Sequence, residues 1–240
     1  MFRSTWTWVA LAAVLLAAAT VHWAARASDQ RLARRLLAAP ADASVRDPAL
    51  LRYARLRAQP LYREHCAVCH GADMTGNPAL GAPNLTDPVW LYGKGSVFDI
   101  ERTLLYGIRS GVPQARNVTD MPAFGVRGLL STADINNAVQ YLLQLNRRPY
   151  QADAASEGRQ VYERKANCGD CHGADAHGNP DYGAPDLTVN VWNSGTDPAS
   201  LYRAIYSGQH HVMPGWLGTL SLEQIRELAM YIYSASHGGG

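Results

Sequence analysis

The chain has 240 residues, of which 47% are hydrophobic and 18% charged, and its formal net charge is +2. That length suits two domains of about 100 residues each, and the composition excludes a disordered chain. The basic residues lie beside an apolar segment and are not interleaved with aromatics on a folded face, which excludes a nucleic-acid-binding surface.

The first element is an apolar run of twenty residues, Trp6 to Ala25, with His22 as its one polar interruption of note. At about 1.5 Å per helical residue it is just long enough to cross a bilayer core of roughly 30 Å. Trp6, Trp8 and Trp23 lie near its ends, where aromatic rings favour the interface. A cleaved signal peptide is the rival reading, because Ala25-Arg26-Ala27 has the small-Xaa-small form of a cleavage site. The run is longer than a usual signal core, which favours a retained anchor over residues 1–27. Residues 28–59 follow as a basic stretch, expected to be a helical stalk interrupted by Pro40 and Pro48. From Arg26 to Glu64 nine Arg stand against four acids, whereas from His65 onward 12 basic residues stand against 16 acidic ones. A basic neck precedes an acidic body. The positive-inside rule alone would put that body in the cytoplasm; the cysteine chemistry below argues for the opposite side.

The rest of the chain is a repeat. CHGADMTGNPALGAPNLTDPVWLYG from Cys69 returns as CHGADAHGNPDYGAPDLTVNVWNSG from Cys171. Met121-Pro122 and Met213-Pro214 correspond further on, after an insertion, GVPQARNVTD, in the first copy. Each copy reads as a short helix into the cysteines (around 61–65, with Pro60 in its first turn, and 157–165) and a long Gly/Pro loop. A middle helix (around 97–106 and 198–206), a Met-Pro loop and a closing helix follow. The closing helices start at candidate capping boxes, Ser131 with Asp134 and Ser221 with Gln224, followed by apolar residues at helical spacing. The expected domains are 60–146 and 156–237, joined by a polar linker over 147–155. No strand-like alternation is sustained, so the expected fold class is all-α.

All four cysteines fall in two Cys-Xaa-Xaa-Cys-His motifs, Cys66, Cys69, His70 and Cys168, Cys171, His172. This is the attachment pattern of c-type haem, in which each thiol adds to one vinyl group and the adjacent His reaches the iron. Four thiolates around zinc are the competing reading. Against it, each motif carries the same His and sits in its own copy of the repeat. The sixth iron ligand needs a soft or imidazole donor. Met121 and Met213 are the leading candidates, since each follows the His of its own repeat, precedes Pro and lies before the closing helix. His210 and His211 are rivals for the second haem. Met74, too near His70, and Met230, on the closing helix, read as packing; His65, His177 and His237 read as surface or loop residues. Trp90, Trp192, Trp216 and Tyr106 could pack on a porphyrin or simply fill a core. Iron with both axial positions filled by His and Met exchanges electrons rather than binding oxygen, and thioether sulfur raises its potential.

On these residues the sequence shows a resemblance. Each repeat resembles a class I cytochrome c domain. GAPNLTDPVWLYG, the segment from Ile100 to Gly107 with Thr103 and Leu104, and the MPAF loop from Met121 together resemble the diheme cytochrome c subunit of cbb3-type cytochrome c oxidases, over about residues 60–236. The resemblance implies two tandem class I cytochrome c domains behind an N-terminal transmembrane helix, with two covalently attached haem c groups. It implies that the carbonyls of Pro83 and Pro185 receive a hydrogen bond from the proximal His. It also implies a protein of the bacterial inner membrane with periplasmic haem domains, relaying electrons from a donor cytochrome to the haem-copper subunit, in contact with lipid; the N-terminal run supplies a single span. The second copy departs from the pattern with GAPDLT and VWNSG, and many family members carry two spans. A free-standing diheme carrier is the alternative. A diheme peroxidase or thiosulfate-oxidising enzyme, which needs an open iron, fits two Met-Pro loops poorly.

Overall fold

In a computed structural model of the protein, residues 3–116, 120–189 and 195–238 are described. Trp192 and part of the insertion before Met121 lie outside them. The described residues are helical, with isolated β-bridges and no extended strand. Helix α1 runs from Arg3 to Ala38 without a break, and its apolar part is fully exposed in the isolated chain, with a mean hydropathy of 1.8. Pro40 ends it, and a single turn, α2 (Ala41–Ser44), leads to α3 (Pro48–His65). Asp47 caps α3 by accepting from the N–H groups of Ala49 and Leu50, and Pro48 takes the first turn, where a missing N–H costs nothing. Pro60 therefore lies inside a helix and not at the start of one. The interior position is tolerated because Leu56 and Pro60 face solvent, so the carbonyl that Pro60 cannot bond is hydrated.

The short turn α4 (Ala67–His70) carries the first motif, and α5 (Val97–Tyr106) is the middle helix. Next come α6 (Thr132–Leu145) and α7 (Ala152–Gln160), with a π-helical turn over Val161–Lys165. The turn α8 (Gly169–His172) holds the second motif, followed by α9 (Pro198–Ser207) and α10 (Leu222–Ser236). Both closing helices, α6 and α10, start in the capping boxes read from sequence. The expected domain edges at 60 and 155 fall inside α3 and α7. The second begins early because ADAASEGRQ is a sound helix former and the only proline nearby is Pro149.

The two repeats do not fold as two separate beads. Helix α10, from the second repeat, packs on α3 and α5 of the first, whereas α6, from the first, packs on α7 and α9 of the second. Two modules result, each closed by the other repeat's last helix. Module 1 comprises α3, α4, α5 and α10; module 2 comprises α6, α7, α8 and α9. The cause is visible in the chain: only residues 146–151 separate α6 from α7. A connection that short favours an antiparallel hairpin of neighbours. With α7 thus occupied by α6, the exposed face of α3 is left for α10. Ile225, Leu228, Met230 and Ile232 of α10 are buried in module 1. At about 1.5–3 kcal/mol per large apolar side chain, their sum is comparable with the stability of a whole domain, so α10 is not a detachable flap.

The neck is not a free stalk either. Leu36 and Ser44 are fully buried against module 1, and Ser44 Oγ lies 3.3 Å from Met230 Sδ. Arg226 of α10 donates to the carbonyls of Leu36 and Ala39, at 3.2 and 3.0 Å, and pairs with Glu101 of α5 at 2.7 Å. One guanidinium thus caps the end of α1 and fastens it to two helices of module 1.

Candidate haem sites

Each Cys-Xaa-Xaa-Cys-His motif is a single helical turn. In α4 the N–H of His70 bonds back to the carbonyl of Cys66 at 2.9 Å, and in α8 that of His172 to Cys168 at 2.9 Å. This places both thiols and the imidazole of each motif on one turn. Two aromatic anchors brace the turns. Tyr62 Oη donates to the carbonyl of Gly71 at 2.7 Å, and Tyr162 Oη to that of Gly173 at 2.6 Å. The second copy has two more residues between tyrosine and cysteine, and the π-helical turn absorbs the extra length there, keeping the anchor. Sequence reading missed both tyrosines. The signal that could have found them is a tyrosine before each cysteine pair, at unequal spacing.

The imidazoles are oriented alike. His70 Nδ1 lies 3.1 Å from the carbonyl of Pro83, and His172 Nδ1 lies 3.0 Å from that of Pro185. A carbonyl only accepts, so Nδ1 carries the proton and Nε2 keeps its lone pair for a metal. Burial lowers the pKa of both imidazoles, a trend the hydrogen bonds to Pro83 and Pro185 oppose, and both stay neutral near pH 7. Burial also pushes the Cys66 and Cys168 thiols up to about 11. None of the four cysteines is in a disulfide, and among the described residues the two pairs do not converge on one four-ligand cluster of the zinc-ribbon kind. Thiols, a free imidazole Nε2 and a soft sulfur fit haem c.

The methionines cross between repeats. Met213 lies in module 1: its N–H donates to the carbonyl of Ile108 and its carbonyl accepts from Ile108 N–H, both at 2.9 Å. It packs against the core that holds Cys66, Met74 and Leu85. Met121 lies in module 2, its carbonyl accepting from Gln209 N–H at 3.1 Å, and packs against the core with Val161, Leu187 and Ile205. Two glycines make this close approach possible. A Cβ on Gly107 (φ +74°) would lie 2.3 Å from the Met213 carbonyl oxygen, and one on Gly208 (φ +71°) would lie 2.4 Å from that of Met121. The repeat leads us to expect His70 with Met121 and His172 with Met213, each pair within one copy; the methionines instead pack across the copies. The structure brings Met213 to the first motif and Met121 to the second, because the Met-Pro loops travel with the exchanged helices.

The remaining candidates fall into place around this. Met74 and Met230 are buried packing residues. His210 Nδ1 lies 2.6 Å from Asp120, and His211 Nε2 contacts Gln209, so both belong to the strap joining the modules. Arg109 ties this strap together, donating to the His211 carbonyl at 2.8 Å and pairing with Asp120 at 3.4 Å. His65, expected at the surface, instead packs on Trp216 with ring centroids 5.1 Å apart, at the end of α3. His177 and His237 are exposed. Trp90 and Trp216 pack on the module 1 core, and Tyr106 is half-buried.

Two helical modules, each built on a Cys-Xaa-Xaa-Cys-His turn with a proline-oriented imidazole and a methionine loop, define a diheme c-type cytochrome. Comparison with known proteins is consistent at both levels. Residues 56–146 match the family model described as "Cytochrome c", and residues 153–232 match that described as "Cytochrome C oxidase, cbb3-type, subunit III". The chain is 41% identical over 196 residues to the cbb3-type cytochrome c oxidase subunit FixP of Bradyrhizobium sp. (strain ORS 278), covering 81% of this chain and 65% of that protein. It is 37% identical over 194 residues to subunit CcoP of Cereibacter sphaeroides, covering 81% and 64%. It is 37% identical over 220 residues to subunit CcoP of Rhodobacter capsulatus, covering 88% and 72%. The chain belongs to this family of cbb3-type oxidase subunits, CcoP and FixP, whose membership implies covalently bound haem c. It spans about two thirds of the length of these relatives.

Proposed function

We propose that the chain transfers electrons as the input subunit of a cbb3-type terminal oxidase, anchored in the bacterial inner membrane by α1 with both modules on the periplasmic side. In this reading Cys66, Cys69, His70 and Met213 hold one haem, and Cys168, Cys171, His172 and Met121 hold the other. The observation that carries the pairing is the reciprocal backbone bonding of Met213 with Ile108. Bound haem c supplies a one-electron iron couple. The chain's own residues supply the rest. The thiols would tether the haem, the Pro83 and Pro185 carbonyls orient the imidazoles and raise their basicity, and the methionine loops would offer a soft sulfur that favours the reduced iron. The contacts of Arg226 with the end of α1 support a reading in which module 1 lies at the membrane end and module 2 farther out. The acidic body favours encounter with a basic donor cytochrome, and lipid surrounds α1.

The test is purification of the tagged chain from detergent-solubilised membranes. Co-purification of b-type haem with oxygen consumption supports the oxidase reading. Recovery of two low-spin c haems alone overturns it in favour of a free-standing carrier.

A further inference from the structure

Glu227 stands out because the haem chemistry does not use it. It sits on α10 in the seam against α3, its side chain is 1% exposed, and neither carboxylate oxygen receives a hydrogen bond from the described residues. The nearest cation is Arg57 of α3, whose Nε is 3.5 Å from Oε1. A second acid, Glu223, lies one turn earlier on α10 and accepts from Tyr53 Oη of α3 at 2.7 Å. On the other flank of α10, Arg226 is already committed to Glu101 of α5 and to the end of α1. Two carboxylates thus share one Arg, and one of them is buried without a donor. A buried carboxylate that accepts no hydrogen bond and shares its one Arg at 3.5 Å with a second acid is costly, and a proton removes that cost.

We propose that Glu227 is a proton-binding site that closes the seam between α3 and α10 when occupied and loosens it when empty. Helix α3 leads directly into Cys66, and α10 follows the Met213 loop, so the seam joins the two walls of module 1. The other module is an internal control. Counting from the capping serines Ser221 and Ser131, the position of Glu227 is occupied in α6 by Asn137, which does not titrate. The sign follows from the groups present. Burial, aided by Glu223 and opposed by Arg57, raises the Glu227 pKa from 4.5 to about 7. The folded state then holds a proton that the unfolded state has lost, so stability of the seam falls as pH rises from about 4.5 to about 7 and changes no further above that.

The effect on Met213 rests on the cross-pairing proposed above; the seam itself does not. The experiment is hydrogen–deuterium exchange of the full-length, haem-loaded protein in detergent, corrected for intrinsic exchange, with the Met–iron charge-transfer band recorded on the same samples. Protection of α10 should fall roughly tenfold or more between pH 5 and pH 8 while that of α6 stays level. Glu227→Gln should make α10 protection independent of pH. If that variant does not fold, Glu223→Gln should move the midpoint to lower pH. A level α10 in the native chain, a Glu227→Gln variant with native pH dependence, or an unmoved midpoint in Glu223→Gln overturns the proposal. A charge-transfer band that stays constant while α10 protection falls supports the proton site and counts against Met213 as the ligand.

Discussion

Tyr62 and Tyr231 pack edge to face with ring centroids 5.9 Å apart, although they belong to different repeats. In module 2 Tyr141 meets Tyr162 at 5.5 Å, with the rings tilted by 59°. Each pair joins the helix that leads into a haem motif to the closing helix of the other repeat. The tyrosine that anchors a Cys-Xaa-Xaa-Cys-His turn is thus held from behind by the partner repeat. Tyr62→Phe leaves the Gly71 carbonyl without its donor and should cost about 1–3 kcal/mol by denaturant unfolding. Tyr162→Phe should cost a similar amount in module 2. A loss below about 0.5 kcal/mol in both would show that the anchors are incidental.

Arg226 is a second such joint. Its pair with Glu101 is nearly buried on both sides, with side-chain exposures of 12% and 13%. Arg226→Ala leaves Glu101 uncompensated and frees two carbonyls, and should destabilise module 1 by roughly 3–5 kcal/mol. Limited proteolysis between Ala38 and Pro48 should accelerate in this variant. Cleavage at the native rate would mean that the neck is held by other contacts.

Exchange of the closing helices implies that neither repeat folds alone. A chain ending after Asn146 has α6 but no α7 to receive it, and α3 without α10. Such a fragment should be recovered unfolded or aggregated, as judged by circular dichroism and gel filtration. A monomeric, cooperatively folding first repeat would contradict the exchange.

Module 2 should carry its own acid sensitivity. Hydrogen bonds from Lys165, at 2.6 Å, and from Ser131 hold the Asp134 carboxyl down at about 2. A depressed carboxylate stabilises the fold above its ordinary value of 3.8, and that contribution is lost as pH falls toward 2. Asp134→Asn should therefore weaken the fold at pH 7 far more than at pH 2. An equal loss at pH 2 and pH 7 would count against the assigned pair.

Much of this was legible in the sequence. The two motifs, both capping boxes, the middle helices and the methionine loops are local patterns whose physics acts over a few residues. Pro60 misled because proline usually marks a first turn; here it sits on an exposed helix face with Leu56, whose carbonyl it cannot bond. The crossing of Met121 and Met213 was missed because a repeat suggests self-contained copies. The relevant signal was the shortness of the segment between Leu145 and Ala152, which forces α6 onto α7 and leaves α10 for α3. Glu227 gave no signal, since an acid within an amphipathic helix reads as solvated until the opposing helix is known.

The most direct test uses a single-haem chain, Cys168→Ser with Cys171→Ser, which retains only the haem at Cys66 and Cys69. In that background Met213→Ala should abolish the Met–iron charge-transfer band, lower the potential and admit carbon monoxide, whereas Met121→Ala should leave the spectrum intact. The reverse pattern, with Met121→Ala opening the iron and Met213→Ala silent, would contradict the exchange of ligands between repeats.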